Sequence, residues 1–176
     1  MPLRTEKNWR HGAVLLDSDN TRFALWAPDA QQVSVELQDG QSLAMLAQDE
    51  GWFAIEARCP AGTQYRYKID GDMEVPDPAS RAQASDVHSP SIVVDPRSYA
   101  WQNSQWQGRP WHEAVIYEVH VGVLGGYAGV ETHLERLAGL GVTAIELMPI
   151  AQFPGTRNWG YDGVLPYAPQ SSYGTP

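Results

Sequence analysis

Cysteine is almost absent from this chain, and so are long apolar runs. Cys59 is the only cysteine among 176 residues, so no disulfide can form within the chain, which favours a reducing compartment. No stretch approaches the roughly 20 apolar residues that are needed to span a bilayer. Residues 1–6 also lack the apolar segment of a signal peptide. These absences predict a cytoplasmic protein.

Basic residues are also scarce, and this limits the ligands that the chain can bind. Twelve Lys and Arg stand against 21 Asp and Glu, which gives a formal net charge of −9. This charge repels nucleic acid and anionic lipid, and no basic run offsets it. We therefore expect no nucleic-acid partner and no membrane partner. A neutral sugar is unaffected by the charge, and the seven Trp and eight Tyr could stack on sugar rings or fill a core.

The first half of the chain has the pattern of a β-sandwich. Residues 22–26, 33–37, 52–56 and 65–69 alternate apolar and polar side chains, as strands with one buried face do. Turn residues lie between these segments, and no helical periodicity interrupts them. Short alternating strands at this spacing predict a sandwich over about residues 12–95, within a domain of residues 1–98.

A second domain follows a linking segment. Residues 99–112 contain Tyr99, Trp101 and Trp106, and this aromatic content predicts an ordered strap packed along both domains. Residues 114–121 and 142–150 are continuous apolar runs, as in parallel strands covered on both faces. Val130, Leu134, Leu137 and Leu140 lie at helical spacing between them, and Gly141 stands where a helix ends. The pattern predicts a β-α-β unit over residues 113–176, with its helix near 130–140.

Other motifs in this half give weaker indications. The glycines of residues 122–129 follow a strand, but their spacing matches no phosphate-binding loop. No histidine has the spacing of a metal ligand, so we expect no metal and no cofactor. Glu118 and Glu146 lie on adjacent predicted strands and could form a buried acid/base pair. Both are in mid-strand, however, whereas barrel chemistry takes place at the carboxyl ends of strands, and a structural ion pair is the alternative.

The loop after the second predicted strand is the best candidate for a ligand site. A sugar ring stacks its C–H face on an aromatic plane, and its hydroxyls need fixed polar partners. Tyr161 lies between Gly160 and Gly163, on a backbone that can turn tightly. Asn158 and Asp162 supply hydrogen-bonding groups beside it. We therefore predict substrate binding by Tyr161, Asp162, Asn158 and Trp159, with packing as the alternative role of both aromatic rings.

Several motifs together resemble the α-amylase superfamily of glycoside hydrolases. The first and second barrel strands of that superfamily are similar to VIYEVHVG at 115–122 and LGVTAIELMP at 140–149, and WGY at 159–161 follows them. The resemblance implies an N-terminal immunoglobulin-like, carbohydrate-binding-type domain. It further implies that residues 113–176 begin a catalytic (β/α)₈ barrel, which takes about 250 residues when complete. The expected architecture is thus a β-sandwich followed by an incomplete TIM barrel.

Further segments narrow the resemblance to the trehalose-releasing members of the superfamily. These segments are VPDPASR at 75–81, DVHSPS at 86–91 with VDP at 94–96, and FPGTRNWGYDGV at 153–164. Branching enzymes typically carry a glycine-aspartate-phenylalanine-asparagine turn where LQDGQ stands at 37–41. They also tend to carry glutamine in place of Asp162. Branching and debranching members, or a glucan-binding module without chemistry, remain the alternatives.

The resemblance also implies a reaction and a ligand. Trehalose-releasing members hydrolyse the α-1,4 bond next to the terminal trehalose of maltooligosyl trehalose, an α-glucan. Their mechanism is retaining and uses an Asp nucleophile and a Glu acid/base about 5–5.5 Å apart. Those carboxylates belong to later barrel strands, so we expect no catalytic residue in this chain and no activity from it alone. Tyr161 corresponds to the tyrosine that stacks on the sugar whose bond is cut. The oligomeric state stays open.

Overall fold

The computed structural model describes residues 11–176. The first ten residues lie outside the described part. The start of the predicted domain of residues 1–98, and residues 1–6, from which we predicted that a signal peptide is absent, fall in this part. The strands are β1 (Gly12–Leu15), β2 (Asn20–Trp26), β3 (Val33–Leu37), β4 (Ser42–Ala44), β5 (Leu46–Ala47), β6 (Trp52–Arg58), β7 (Gln64–Ile69), β8 (Met73–Val75), β9 (Ser91–Ile92), β10 (Ile116–Val119), β11 (Ala144–Leu147), β12 (Ala151–Gln152) and β13 (Leu165–Pro169). One α-helix, α1 (Gly126–Gly139), and three 3₁₀ helices, Asp49–Gly51, Trp111–Glu113 and Ser171–Tyr173, complete the described elements.

Strands β1 to β9 form the predicted sandwich. One antiparallel sheet has the order β1-β2-β6-β5, and the second has the order β4-β3-β7-β8, with β9 also paired to β7. The four strands expected from alternation are all present, and they extend by up to two residues beyond the predicted ends. The short strands β1, β4, β5, β8 and β9 were not predicted, since two to four residues are too few for a readable alternation.

The core lies between the two sheets. It is built from alternate residues of the long strands, because successive side chains of a strand point to opposite faces. These buried side chains include Phe23, Leu25, Val35, Phe53, Tyr65 and Tyr67. The rings of Phe23 and Tyr65 meet edge to face with their centroids 4.9 Å apart. Apolar burial of this kind, worth about 25 cal/mol per Å², is what holds the two sheets together.

A buried carboxylate organises the polar side of the core. Asp77 is 0% exposed, accepts a hydrogen bond of 2.6 Å from the hydroxyl of Tyr65 and accepts one of 2.7 Å from the Ala79 N–H. Its own N–H donates to Ser91 Oγ at 3.0 Å, and Ser91 Oγ donates to Gln83 Oε1 at 2.8 Å. This network attaches residues 77–91 to β7, so that segment is part of the sandwich.

The two core tyrosines make a prediction for alkaline pH. Burial raises the pKa of both Tyr65 and Tyr67 well above the ordinary value, and the neighbouring Asp77 carboxylate adds to the shift. In the unfolded chain both phenols ionise near pH 10, whereas in the folded chain they stay protonated. Their contribution is therefore complete below about pH 10 and is lost as the pH rises further. The free energy of unfolding should fall by up to about 2.7 kcal/mol per pH unit for two protons.

Urea denaturation of the chain at pH 9 to 11 measures this slope. The Tyr65→Phe variant is the control, because it keeps the ring and removes one of the two ionisable groups. It should show about half of the tyrosine-dependent slope. An equal fall of the free energy of unfolding with pH in both proteins would contradict the assignment of this pH dependence to Tyr65 and Tyr67.

The predicted strap differs from expectation. Every residue of 99–112 is exposed in the described structure, including Tyr99, Trp101, Trp106 and Trp111. The rings of Tyr99 and Trp101 pack edge to face on each other, with centroids 4.9 Å apart. Packing of this segment along both domains is therefore not observed. The aromatic side chains on which the prediction of an ordered strap was based are exposed among the described residues.

The expected β-α-β unit is present. Strands β10 and β11 pair in parallel, with Glu118 opposite Glu146, and α1 connects them. The helix begins at Gly126, four residues before its predicted start. Both strands are shorter than their apolar runs, and Ile116 and Tyr117 are exposed. Two strands do not make a barrel, so the assignment of this unit to the start of one remains a prediction.

The ends of α1 explain its bounds. At the first residue, Gly126 has φ +87°, and a Cβ there would lie 2.5 Å from the backbone oxygen of Tyr173, so only glycine allows this approach. At the other end, Gly141 has φ +94°, its N–H donates to Ala138 O, and the N–H of Val142 donates to Leu137 O. This is a Schellman motif with glycine at C′, as the sequence predicts.

The C-terminal segment contacts both halves of the molecule. Strands β12 and β13 pair antiparallel, a hairpin that the sequence did not reveal. The hydroxyl of Ser171 donates to the backbone oxygen of Ser85 in the sandwich, and Gln152 Nε2 approaches the same oxygen at 3.5 Å. Across the described residues, no helix is both long and apolar enough to cross a membrane.

Candidate functional site

The predicted substrate-binding residues lie in the loop between β12 and β13. Two buried glutamines hold the base of this loop. Gln170 Oε1 accepts the N–H of Phe153 at 2.9 Å, while its Nε2 donates to Gly155 O at 3.2 Å. Gln152 Oε1 accepts the N–H of Ser171 at 2.7 Å. Because the base of the loop is fixed in this way, its tip at residues 158–162 has a defined position.

The tip is closed by the predicted polar pair. Asn158 Nδ2 donates to Asp162 Oδ2 at 2.9 Å, and Asn158 Oδ1 accepts the N–H of Gly160 at 2.5 Å. The structure thus brings Asn158 and Asp162 into direct contact across a tight turn. The first and last residues of the turn are thus hydrogen-bonded through their side chains, and this limits the conformations of the backbone that carries Trp159 and Tyr161.

The conformation of the turn requires a glycine at position 160. It is buried, has φ +101°, and a Cβ at this position would lie 2.3 Å from the backbone oxygen of Pro149. A side chain would therefore collide with backbone, and L-residues also avoid this φ. The turn packs directly against the segment that follows β11, and glycine alone permits it.

A histidine without the spacing of a metal ligand connects the turn to β10. His120, one residue after β10, has Nε2 at 2.6 Å from the Asn158 backbone oxygen. The N–H of Val123 donates to His120 Nδ1 at 3.1 Å, so Nδ1 is the acceptor and Nε2 carries the proton that Asn158 O receives. No local pattern indicates this role, because the two residues are 38 positions apart and form no ligand motif.

The ring of His120 also has an aromatic neighbour. Tyr173 meets it edge to face, with ring centroids 6.1 Å apart, and packs in the same way on Phe153 at 5.8 Å. Burial raises the pKa of Tyr173, so this ring stays a neutral phenol at physiological pH. The turn therefore rests on a packed aromatic base at the carboxyl end of β10.

The two aromatic side chains of the turn itself are uncovered. Tyr161 is 69% exposed and Trp159 is 77% exposed, although the backbone between them is buried at Gly160. Packing, the alternative role that we considered for both rings, is not observed among the described residues. A rigid backbone thus presents two aromatic faces to solvent, with the Asn158–Asp162 pair beside them.

The second candidate site does not form as expected. Glu118 and Glu146 are register partners in the parallel ladder, but both are exposed, whereas the acid/base hypothesis required burial. Within the described part of the chain, no group of three or more His, Cys, Asp or Glu residues could hold a metal ion.

Comparison with known proteins relates this geometry to a family. The model of carbohydrate-binding module 48, the isoamylase N-terminal domain, matches residues 10–96. The malto-oligosyltrehalose trehalohydrolase of Saccharolobus solfataricus is 43% identical over 165 residues, which cover 92% of this chain and 29% of the relative. The 1,4-alpha-glucan branching enzyme of Pseudoalteromonas atlantica is 33% identical over 200 residues, covering 94% of this chain and 27% of that enzyme.

A solved structure agrees with these relatives. The crystal structure of a proposed alpha amylase from Salmonella typhimurium superposes with a TM-score of 0.88 at 48% identity, and the match covers 94% of this chain and 29% of that one. The chain therefore spans less than a third of the length of the proteins that it matches. The chain is therefore similar over more than nine-tenths of its length to enzymes of the α-amylase family, and its residues 10–96 match carbohydrate-binding module 48.

Proposed function

We propose that the protein is a glycoside hydrolase that releases trehalose from maltooligosyl trehalose, and that this chain supplies part of its substrate-binding surface. The name and 43% identity of the Saccharolobus solfataricus trehalohydrolase support this specificity over that of the branching enzyme, which is 33% identical. The proposal includes a cytoplasmic location.

One observation supports the binding role above the others, namely the exposed ring of Tyr161 on a fixed turn. The ring is free to receive the C–H face of a sugar, and Asn158 and Asp162 lie beside it as planar hydrogen-bonding partners. A rigid platform costs little conformational entropy on binding. The net charge of −9 does not oppose a neutral ligand.

The proposed chemistry is a retaining hydrolysis by a nucleophilic Asp and a Glu acid/base about 5–5.5 Å apart. Glu118 and Glu146 do not suit these roles, because they are exposed and lie in mid-strand. In this proposal Tyr161 positions the sugar ring, and the carboxylates come from barrel strands beyond the β-α-β unit.

The 176-residue chain by itself should release no trehalose from maltooligosyl trehalose and no reducing sugar from starch. A stacking ring and a hydrogen-bonded pair bind substrate, but only groups that stabilise the transition state more than the ground state accelerate hydrolysis. Trehalose assayed after long incubation with the pure chain tests this. Turnover that disappears in Glu118→Gln or Glu146→Gln would overturn it and restore that pair as catalytic.

The proposed specificity can be tested in a chimaera. Residues 1–176 replace the corresponding part of the Saccharolobus solfataricus enzyme, and the products from maltooligosyl trehalose and from amylose are separated. Trehalose is the expected product. New α-1,6 branches in amylose, without trehalose, would favour the branching alternative.

A glucan-binding module without chemistry is the second candidate function, because the carbohydrate-binding module 48 match covers the whole sandwich. A glucan pull-down of residues 1–110 distinguishes it. Co-sedimentation with the polysaccharide supports a binding role for the sandwich. Recovery of the protein in the unbound fraction restricts glucan recognition to residues 151–176.

A further inference from the structure

The turn of residues 158–162 is held against the rest of the molecule at two points. One is the buried backbone of Gly160, which lies so close to the backbone oxygen of Pro149, after β11, that no Cβ would fit. The other is the backbone oxygen of Asn158, which lies 2.6 Å from Nε2 of His120, after β10. Among the described residues, this is the one hydrogen bond that joins the turn to another part of the chain.

Two points of attachment fix the orientation of the turn, whereas one would not. A loop that is held at a single point keeps its shape but can still rotate about that point. The bond between Asn158 and Asp162 lies within the turn, so it maintains the shape and does not prevent rotation. The bond from His120 prevents rotation of the turn about Gly160. It therefore determines the direction in which the exposed ring of Tyr161 faces.

Both ring nitrogens of His120 are bound by backbone groups. Nδ1 accepts the N–H of Val123 at 3.1 Å, and Nε2 donates to the backbone oxygen of Asn158. The ring of Tyr173 meets the imidazole edge to face, with centroids 6.1 Å apart, and this contact restricts its rotation. Because neither nitrogen is free to exchange a proton with a substrate, the ring is suited to holding the turn and not to acid/base chemistry.

We infer that His120 is a positioning residue, which holds the turn so that the ring of Tyr161 faces the sugar at a fixed angle. The inference rests on the proposed function for the role of Tyr161, and it adds the residue through which the end of β10 controls that role. Without the bond, the ring stays exposed but its direction varies, so the sugar meets a correctly oriented ring less often. A platform that is fixed before the sugar arrives also loses less conformational entropy on binding.

Two replacements separate the two hydrogen bonds of His120. Asparagine places its Oδ1 where Nδ1 stands, so His120→Asn keeps the acceptor for Val123 but cannot reach Asn158. Glutamine places its amide nitrogen where Nε2 stands, so His120→Gln keeps the donor to Asn158. The N–H of Val123 also lies 3.1 Å from the backbone oxygen of His120, so it stays paired in the glutamine variant. Both variants should keep their melting temperature within a few degrees, because water can reach the half-buried Asn158.

The orientation of the turn can be measured by NMR on the 176-residue chain. Backbone ¹⁵N order parameters of residues 159–162 should be about 0.85 in the unsubstituted chain, as in a rigid backbone, and should fall toward about 0.6 in His120→Asn. They should recover in His120→Gln. His88→Asn, the same replacement at an exposed position of the sandwich, is the matched control and should change neither the order parameters nor the amide shifts of the turn. Order parameters and amide shifts that are the same in His120→Asn as in the unsubstituted chain would overturn the inference.

A double-mutant cycle in the chimaera with the Saccharolobus solfataricus enzyme tests the consequence for the reaction. His120→Asn should lower kcat/KM for maltooligosyl trehalose about tenfold, and His120→Gln should lower it much less. The loss should not exceed that of Tyr161→Ala, because His120 acts through this ring. In the Tyr161→Ala background, His120→Asn should therefore cause no further loss. An equal loss in both backgrounds would show a purely structural role and would overturn the inference.

Failure of this inference can be distinguished from failure of the proposed function. A kinetic loss in Tyr161→Ala with none in His120→Asn would retain the platform and overturn the role of His120. The absence of a kinetic loss in Tyr161→Ala would overturn the platform, and the positioning role of His120 with it.

Discussion

Replacing Asp77 by alanine should lower the free energy of unfolding of the sandwich by about 3–5 kcal/mol. The carboxylate is fully buried and accepts hydrogen bonds from the Tyr65 hydroxyl and from the Ala79 N–H. Each donor left without a partner in the core costs about 1–3 kcal/mol, and the truncated side chain leaves a cavity as well. For a domain of this size such a loss shifts the melting temperature by more than 10 °C.

Thermal and urea denaturation of the purified chain measure this effect. Asp77→Asn keeps an acceptor for Ala79 and nearly the same volume, so it should lose less than half as much stability. Asp39→Ala is the exposed control, because its carboxylate lies at the surface and accepts hydrogen bonds from the neighbouring Gln41. If Asp77→Ala and Asp39→Ala unfold at the same urea concentration, the buried network does not stabilise the fold.

Replacing Tyr161 by alanine should reduce kcat/KM for maltooligosyl trehalose by about 5- to 150-fold. This range corresponds to about 1–3 kcal/mol for an aromatic stacking contact, by analogy with base stacking. The ring is 69% exposed, so its removal creates no cavity and should leave the melting temperature unchanged. Part of the loss should appear in kcat if the contact tightens as the sugar flattens toward the transition state.

The chimaera with the Saccharolobus solfataricus enzyme provides the assay for this variant. Tyr161→Phe is the matched control, because it retains the ring face and should lose much less activity. Asp162→Ala should change the preference between substrates more than the rate, since its carboxylate is bound to Asn158 beside the platform. Unchanged kinetics in Tyr161→Ala, or a fall in melting temperature without a kinetic effect, would contradict the platform role.

Two sequence motifs that indicated the family resemblance have a structural role in the sandwich. The segments at 75–81 and 86–91 contain Asp77, which binds Tyr65, and Ser89, whose Oγ accepts the N–H groups of Ser85 and Asp86. Their residue types are therefore required by buried hydrogen bonds in the sandwich. A resemblance to a family can thus rest on residues that are buried in the fold.

The sequence by itself determined the sandwich, the β-α-β order and the position of the candidate loop. Alternation along β2, β3, β6 and β7 is local, so each strand could be predicted without knowing its partners. The glycine at 141 likewise ended the helix through its own conformational freedom. Asn158 and Asp162 were expected beside Tyr161 as ligand-binding groups, and the hydrogen bond between them was seen only in the structure.

Only the tertiary structure decided the features that join distant residues. The bond between His120 and Asn158, the glutamines that hold the loop base and the Trp26–Trp52 pair all depend on pairing across 17 to 38 positions. No local pattern encodes such contacts, because they arise when strands align. Exposure was likewise decided by neighbours. Tyr161 and Trp159 are residue types that often fill a core, yet among residues 11–176 they are 69% and 77% exposed. Whether an aromatic ring packs or binds is therefore a property of its surroundings, which the sequence does not specify locally.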